Sequence, residues 1–207
     1  MVQPKNRVYL ASRSLRRREL LKQIGVNFEL LLLRETPPRG VDIDETPLPD
    51  ESPTDYACRI AKAKAEAGWI QLIQRRVPLL PVLAADTVVS LKGQIFGKPE
   101  NSAHAEEMLA ALSGQTHEVL TAVAMIELDR VRVHLSTSTV QFRDISKREI
   151  RAYLAVNEAH DKAGAYAIQG MAAVFVAKIS GSYSGIMGLP LFETARLLEE
   201  FGMEVLR

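Results

Sequence analysis

The sequence contains a single cysteine, Cys58, among its 207 residues, which excludes an internal disulfide and fits a reducing compartment. It has no charged-then-apolar leader and no apolar run approaching about 18 residues, so we expect a soluble, cytoplasmic protein with no membrane partner. The formal net charge of +1 argues against a stable nucleic-acid partner. The histidines lack metal-ligand spacing, which argues against a zinc site; they are His104, His117, His134 and His160.

An ordinary globular composition is present instead, with 47% hydrophobic and 25% charged residues. Strand and helix patterns alternate at first, and strands pair by hairpins later in the chain. This order predicts an α/β fold with a mixed twisted sheet, helices on its faces and a central cleft. We expect one domain over residues 1–207, with room for two lobes around the cleft.

An almost continuously apolar strand over residues 82–89 is interrupted by Asp86 and Thr87. Because an unpaired buried carboxylate is costly to desolvate, Asp86 is protonated, paired with a basic side chain or bound to a metal ion. A structural alternative is that Thr87 and backbone amides satisfy it. A tight turn at Lys92 and Gly93 then brings residues 97–99, with Lys98, back towards Asp86.

The first strand, residues 8–11, runs through Ser12 into a helix over residues 15–24 with Ser14 as its N-cap. A helix N-terminus offers free N–H groups and a positive dipole end, which suit a phosphate. Four arginines add positive charge there: Arg13, Arg16, Arg17 and Arg18. The alternatives are a solvated basic helix start and a nucleic-acid patch, although no aromatic residues interleave with the arginines.

A second helix begins with Ser52 as N-cap and Pro53 at its first position, and we expect it to end near Gly68. Its Lys64 follows Ile60 by four residues and so lies on the apolar face, unlike Lys62. The inward lysine is a functional candidate, and the alternative is a stem that snorkels over the rim of the core.

A loop rich in proline and acidic residues spans residues 34–53, and such loops are lids, binding loops or disordered segments. Its carboxylates, including Glu45, either reach a metal ion or are solvated. A small-residue loop at 161–170 carries Gln169. The other expected elements are a second strand at 28–33, a helix at 102–112, paired strands at 115–128 and 131–142, a capping box at 146–149, a strand at 172–179 and a helix at 191–201.

Several segments together resemble the Maf family of nucleoside triphosphate pyrophosphatases and cover nearly the whole chain in order. They are LASRSLRRRELL (10–21), VDIDET (41–46), AKAKA (61–65), LAADTVV (83–89), GKP (97–99), LSGQTHEVLTAVA (112–124), DKAGAYAIQG (161–170) and MGLPL (187–191). One departure is Leu15, where the family usually has proline at the helix start, and it affects no chemical role.

The resemblance implies a Maf/ITPase-like fold that hydrolyses a nucleoside triphosphate between its α and β phosphates, with a divalent cation, Mg²⁺ or Mn²⁺, and often as a homodimer. It assigns Asp86 as the carboxylate that activates water. The phosphate-site positions are Ser12, Arg17, Lys64 and Lys98. If a metal binds, Asp86 and Glu45 are the oxygen ligands we would choose.

The resemblance also assigns base selection to three positions, which here are Arg16, Thr87 and Gln169. A Gln amide offers a donor and an acceptor to uracil or thymine, and an Arg or Thr can donate to the remaining carbonyl. The sister class that prefers methylated GTP has an aromatic residue, Gln and Glu there. We therefore predict dTTP and UTP as substrates, in clearing unwanted or modified pyrimidine nucleotides and with a link to division arrest. The alternatives are another modified nucleotide, or a non-hydrolysing nucleotide-binding regulator of septum formation.

Overall fold

The computed structural model describes residues 7–34 and 42–206. Across these residues the chain forms a seven-stranded mixed sheet in the order β2-β1-β3-β5-β6-β7, with β4 also paired to β3. The β1–β2 and β1–β3 pairs are parallel and the others are antiparallel, which confirms the predicted sheet type. The strands are β1 Arg7–Leu10, β2 Asn27–Leu30, β3 Val82–Leu91, β4 Gln94–Phe96, β5 Thr116–Glu127, β6 Arg130–Phe142 and β7 Val176–Ser180.

Helices cover both faces of this sheet. They are α1 Leu15–Gln23, α2 Pro53–Arg75, α3 Ser102–Leu112, α4 Lys147–Leu154, α5 Tyr183–Ile186 and α6 Leu191–Glu200, with short 3₁₀ helices at Ala163–Ala165 and Met171–Phe175. The predicted caps are confirmed: Ser14 and Ser52 accept from backbone N–H groups of the first turn, and Ser146 with Glu149 forms a capping box. No helix in the described ranges is long and apolar enough to cross a membrane.

The core consists of apolar clusters on the two sides of the sheet. The side chains of Ala84 and Val88 on β3 pack with α2, whereas those of Leu83 and Ala85 pack with α1 and α6. Farther along β3, Val89 packs with α3, α4 and the 3₁₀ segments. Alternation along β3 therefore sends Asp86 to the α2 side and Thr87 to the opposite side.

The prediction that the second helix ends near Gly68 is wrong, because α2 continues to Arg75. Gly68 is buried against the sheet, and an added Cβ would lie 2.8 Å from Val82 Cγ1. This glycine permits a close approach of helix and strand rather than a helix stop.

Two strand predictions also need correction. The expected strand at 172–179 begins as the 3₁₀ helix Met171–Phe175, and only the following residues form β7. Ala172 and Phe175 are buried in the core, and an apolar run of this kind does not by itself distinguish a strand from a short helix. The strand expected at 28–33 ends at Leu30.

A gap opens along one edge of β3. On this edge β1 pairs only with Val82 and Leu83, and β4 pairs only with β3 residues 89–91. The opposite edge pairs with β5 throughout, from Val82 to Ser90. Among the described residues no strand pairs with the open edge at 84–88, so Asp86 and Thr87 can border one cavity although they face opposite sides of the sheet.

Candidate active site

A cavity of about 1280 Å³ lies at this gap. All the residues to which the sequence assigned a specific role line it: Ser12, Arg16, Arg17, Glu45, Lys64, Asp86, Thr87, Lys98 and Gln169. The structure thus brings these residues together from α1, α2, β3 and four connecting segments. Of the two other arginines expected at the helix start, Arg13 lines the cavity and Arg18 does not. Their individual roles stay predictions. Val41, in the acidic segment quoted above, lies outside the described residues.

Lys64 binds two carboxylates at once in the floor of the cavity. Its Nζ lies 2.7 Å from Asp86 Oδ1 and 2.8 Å from Glu45 Oε1, and its side chain is only 14% exposed. The spacing argument for an inward Lys64 is therefore confirmed. Of the possibilities considered for Asp86, the structure shows pairing with a basic side chain, that of Lys64.

Three basic side chains of the cavity act on the carboxylate of Glu45. Burial by itself would raise the pKa of its carboxyl, but the charge of Lys64 and its hydrogen bond, with the charges of Lys98 and Arg17, bring that pKa below its ordinary value. The carboxylate thus stays ionised at neutral pH. The three cations act on one point, as a site for a multiply charged anion requires.

The acidic segment around Glu45 is attached to α2. Tyr56 Oη donates to the Glu45 carbonyl at 2.9 Å, and Arg59 donates to the Thr46 carbonyl at 3.1 Å while it pairs with Glu51. The helix α2 therefore carries Lys64 and also holds in place the segment that contains Glu45, a partner of Lys64. Sequence reasoning missed Tyr56 and Arg59, because nothing in their helical spacing points to a loop that precedes the helix.

The start of α1 faces the cavity, as a phosphate site at this helix N-terminus requires. Arg17 donates from Nε to the Gly188 carbonyl at 2.7 Å and from Nη2 to Thr87 Oγ1 at 3.2 Å, and its Nη1 lies 3.4 Å from Ser12 Oγ. These bonds orient its guanidinium across the gap between α1 and β3. Arg16 also lines the cavity, and its Nη1 pairs with Glu19 Oε2 at 2.9 Å.

Hydrogen bonds to aromatic side chains hold the loop that carries Gln169. Tyr153 Oη accepts from Ala167 N–H at 3.3 Å, and Tyr166 Oη lies 2.8 Å from Nε2 of His117. Burial lowers the pKa of His117 to about 4, so its imidazole is neutral near pH 7. From the sequence alone, His117 was weighed only as a metal ligand. Its pairing with Tyr166 could not be seen there, because the two residues are 49 positions apart in the chain.

Two carboxylates that line the cavity, those of Asp86 and Glu45, are the candidate ligands for a metal ion. No group of three or more His, Cys, Asp or Glu side chains suited to a metal converges within residues 7–34 and 42–206. The carboxylates of Asp86 and Glu45 do converge on one cation, the Lys64 ammonium. Two such oxygens fit Mg²⁺ or Mn²⁺, which bind through few carboxylates and retain water and substrate oxygens as other ligands.

This α/β protein therefore has, at the open edge of its mixed sheet, a cavity with a buried carboxylate, several basic side chains and a helix N-terminus. These are the groups that binding of a polyphosphate requires. The family described as "Maf-like protein" matches residues 7–201, and the chain belongs to this family. The resemblance drawn from the motifs is thereby confirmed.

The chain is also similar to curated proteins over nearly its full length. It is 64% identical over 200 residues to the "dTTP/UTP pyrophosphatase" of Nitrosomonas europaea and 62% identical to that of Nitrosospira multiformis, with 97% of each chain covered in both cases. Among solved structures, the Staphylococcus aureus Ham1 protein matches with a TM-score of 0.46 and 18% identity over 67% of this chain and 72% of that one. That structural likeness is too weak to support a conclusion.

Proposed function

We propose that this protein hydrolyses dTTP and UTP to the nucleoside monophosphate and pyrophosphate. The observation that carries the proposal is the Lys64 ammonium joining Asp86 to Glu45 within one cavity that Arg17 and Lys98 also line. Two relatives more than 60% identical to this chain are named dTTP/UTP pyrophosphatase, which supports the same substrates. A pure binding protein would have no need of a carboxylate among phosphate-binding cations.

The cations hold the triphosphate. This substrate brings about four negative charges, and phosphoryl transfer depends mainly on positioning and charge stabilisation. Arg17, Lys64, Lys98 and the N-terminus of α1 supply the positive charge, and Ser12 supplies a hydroxyl. Because these groups come from α1, α2 and two connecting segments, the phosphates are held from several directions.

Asp86 activates the water that attacks the α-phosphorus. A carboxylate has about four positions that can accept a hydrogen bond. The hydrogen bond from Lys64 occupies one of them, on Oδ1 of Asp86. The remaining positions can accept a proton from water within hydrogen-bond reach. Lys64 fixes the direction of the carboxylate, so loss of this lysine would misdirect the base as well as weaken phosphate binding.

Thr87, Arg16 and Gln169 select the base from the other side of the β3 edge. The Gln169 amide can accept from N3–H of uracil or thymine and donate to a carbonyl, and a hydroxyl or guanidinium can donate to the second carbonyl. A mismatched base would leave such groups unpaired, which is why this kind of site discriminates strongly.

Mg²⁺ or Mn²⁺ is the proposed cofactor, with Asp86 and Glu45 as its protein ligands. Once bound, such an ion supplies charge neutralisation at the phosphate oxygens. We also propose that the enzyme works in the cytoplasm as a homodimer and removes unwanted or modified pyrimidine nucleotides, with a link to division arrest.

Pyrophosphate release from UTP, dTTP, GTP and methylated GTP in the presence of Mg²⁺ tests the proposal. We expect release from UTP and dTTP, none in Asp86→Asn, and wild-type rates in the control Asp129→Asn, which alters the β5–β6 turn. Gln169→Glu should weaken UTP hydrolysis, with Gln141→Glu on β6 as its control. Release only from another nucleotide would reassign the substrate. No release from any would favour the binding regulator.

A further inference from the structure

Gln169 lies at the centre of a tight turn. The Gly170 N–H donates to the Ala167 carbonyl at 2.9 Å, which closes a four-residue turn around Ile168 and Gln169. Ile168 is 6% exposed and packs in the core, and Tyr153 Oη accepts from Ala167 N–H at 3.3 Å. The first half of the turn is therefore fixed by packing and by a hydrogen bond, whereas Gln169 and Gly170 are only half-buried.

Glu158 holds the other end of this turn. It belongs to the segment after α4 and lines the same cavity as Gln169. Its Oε2 accepts from the Met171 N–H at 2.9 Å, directly after the turn. Met171 begins a 3₁₀ helix, and the residue before it, Gly170, has no side chain that could cap this helix. Glu158 therefore supplies, from another part of the chain, an acceptor for an N–H group at the helix start.

Gly170 leaves the space that the Glu158 carboxylate occupies. A Cβ added at Gly170 would overlap this carboxylate and lie 2.8 Å from its Cδ. The φ of Gly170 is −102°, a value that other residues adopt without strain. The carboxylate beside it, rather than its own backbone torsion, is therefore the reason why glycine fits at this position.

We propose that Glu158 is a positioning residue for base selection, because its hydrogen bond at the end of the turn fixes the direction in which Gln169 presents its amide. An amide that reads the edge of a base must be held in one orientation, so that it rewards the matching base and stays unpaired with a mismatched one. The inference rests on the proposed function, and it adds to that function a residue that acts through Gln169 rather than on the reacting phosphates.

The test is a double-mutant cycle on kcat/KM for UTP with Glu158→Ala, Gln169→Ala and the double variant. One hydrogen bond corresponds to about threefold to tenfold, so we expect Glu158→Ala to lower kcat/KM by that factor. In the Gln169→Ala background the same change should have little further effect, because the amide that Glu158 positions is gone. Glu158→Gln retains an acceptor oxygen and should restore the wild-type value.

Gly170→Ala disrupts the same hydrogen bond from the opposite side. The new Cβ meets the end of a flexible side chain, so it displaces the Glu158 carboxylate at little cost to the fold. We expect a loss similar to that of Glu158→Ala, and no additional loss when residue 158 is already alanine. The matched control is Glu106→Ala, which removes a pair with Arg151 at 3.1 Å outside the cavity and should keep the wild-type kcat/KM.

A Glu158→Ala loss that multiplies with the Gln169→Ala loss would overturn the inference, because it indicates a direct contact or a merely structural role. Unchanged UTP hydrolysis in Glu158→Ala or in Gln169→Ala would overturn it as well, and so would a Glu158→Gln variant as impaired as Glu158→Ala. Thermal unfolding identifies a variant that fails to fold, and Gly170→Ala then carries the cycle with Gln169→Ala. A wild-type enzyme that releases no pyrophosphate from UTP would contradict the proposed function instead, so the two failures are distinguishable.

Discussion

Replacing Lys64 by methionine tests the arrangement at the floor of the cavity. The methionine fills much of the same volume but leaves Asp86 and Glu45 facing each other without a cation. Their nearest oxygens both lie within 2.8 Å of one atom, so they are no more than about 5.5 Å apart. At an effective dielectric constant of about 20, two unit charges at that separation repel by about 3 kcal/mol.

Solvent reduces this repulsion, because the Glu45 side chain is 37% exposed. We therefore expect Lys64→Met to lower the free energy of unfolding by about 1–2 kcal/mol at pH 7. The repulsion exists only while both carboxylates are ionised. The deficit should accordingly be largest near neutral pH and shrink in acid, as the pH falls through the range in which Glu45 takes up a proton.

Urea unfolding between pH 4 and pH 8, with and without Mn²⁺, measures the effect. The matched control is Lys62→Met on the same helix, because Lys62 is 53% exposed and its pair with Glu66 at 3.8 Å should contribute less than about 1 kcal/mol. If the two carboxylates are metal ligands, Mn²⁺ should stabilise Lys64→Met more than the wild type. A Lys64→Met deficit equal to that of the control at every pH would refute the reasoning.

Two further predictions concern the scaffold. Gly68→Ala should destabilise the fold by about 1–3 kcal/mol despite the better helix propensity of alanine, because the new Cβ would overlap Val82; a more stable variant in urea unfolding would contradict this packing. Burial lowers the pKa of His117 from its ordinary value of 6.5 to about 4 in the folded protein. The unfolded chain therefore binds this proton more tightly than the folded protein does. Stability should therefore fall by on the order of 3 kcal/mol as the pH drops from 6.5 to 4, and His117→Gln should lack this component; identical pH profiles would exclude it.

The sequence predicted the parts of the site that local spacing determines. Lys64 follows from its helical position relative to Ile60, and Asp86 stands out because a carboxylate interrupts an apolar strand. The β3–β4 turn was also predicted correctly, since Lys92 and Gly93 both adopt the positive φ of 53° and 83° that such a turn requires.

Features set by tertiary contacts were not predictable in the same way. Gly68 looks like a helix stop in sequence, and only the position of Val82 shows that it is a packing glycine. The grouping of the site residues came from the family resemblance, and the open edge of β3 supplies its physical basis.

Hydrolysis of UTP in water labelled with ¹⁸O tests the central claim most directly. If Asp86 directs water at the α-phosphorus, the label appears in UMP, equimolar unlabelled pyrophosphate is released, and Asp86→Asn forms neither product. Label in the pyrophosphate, or formation of UDP and phosphate, would contradict the account.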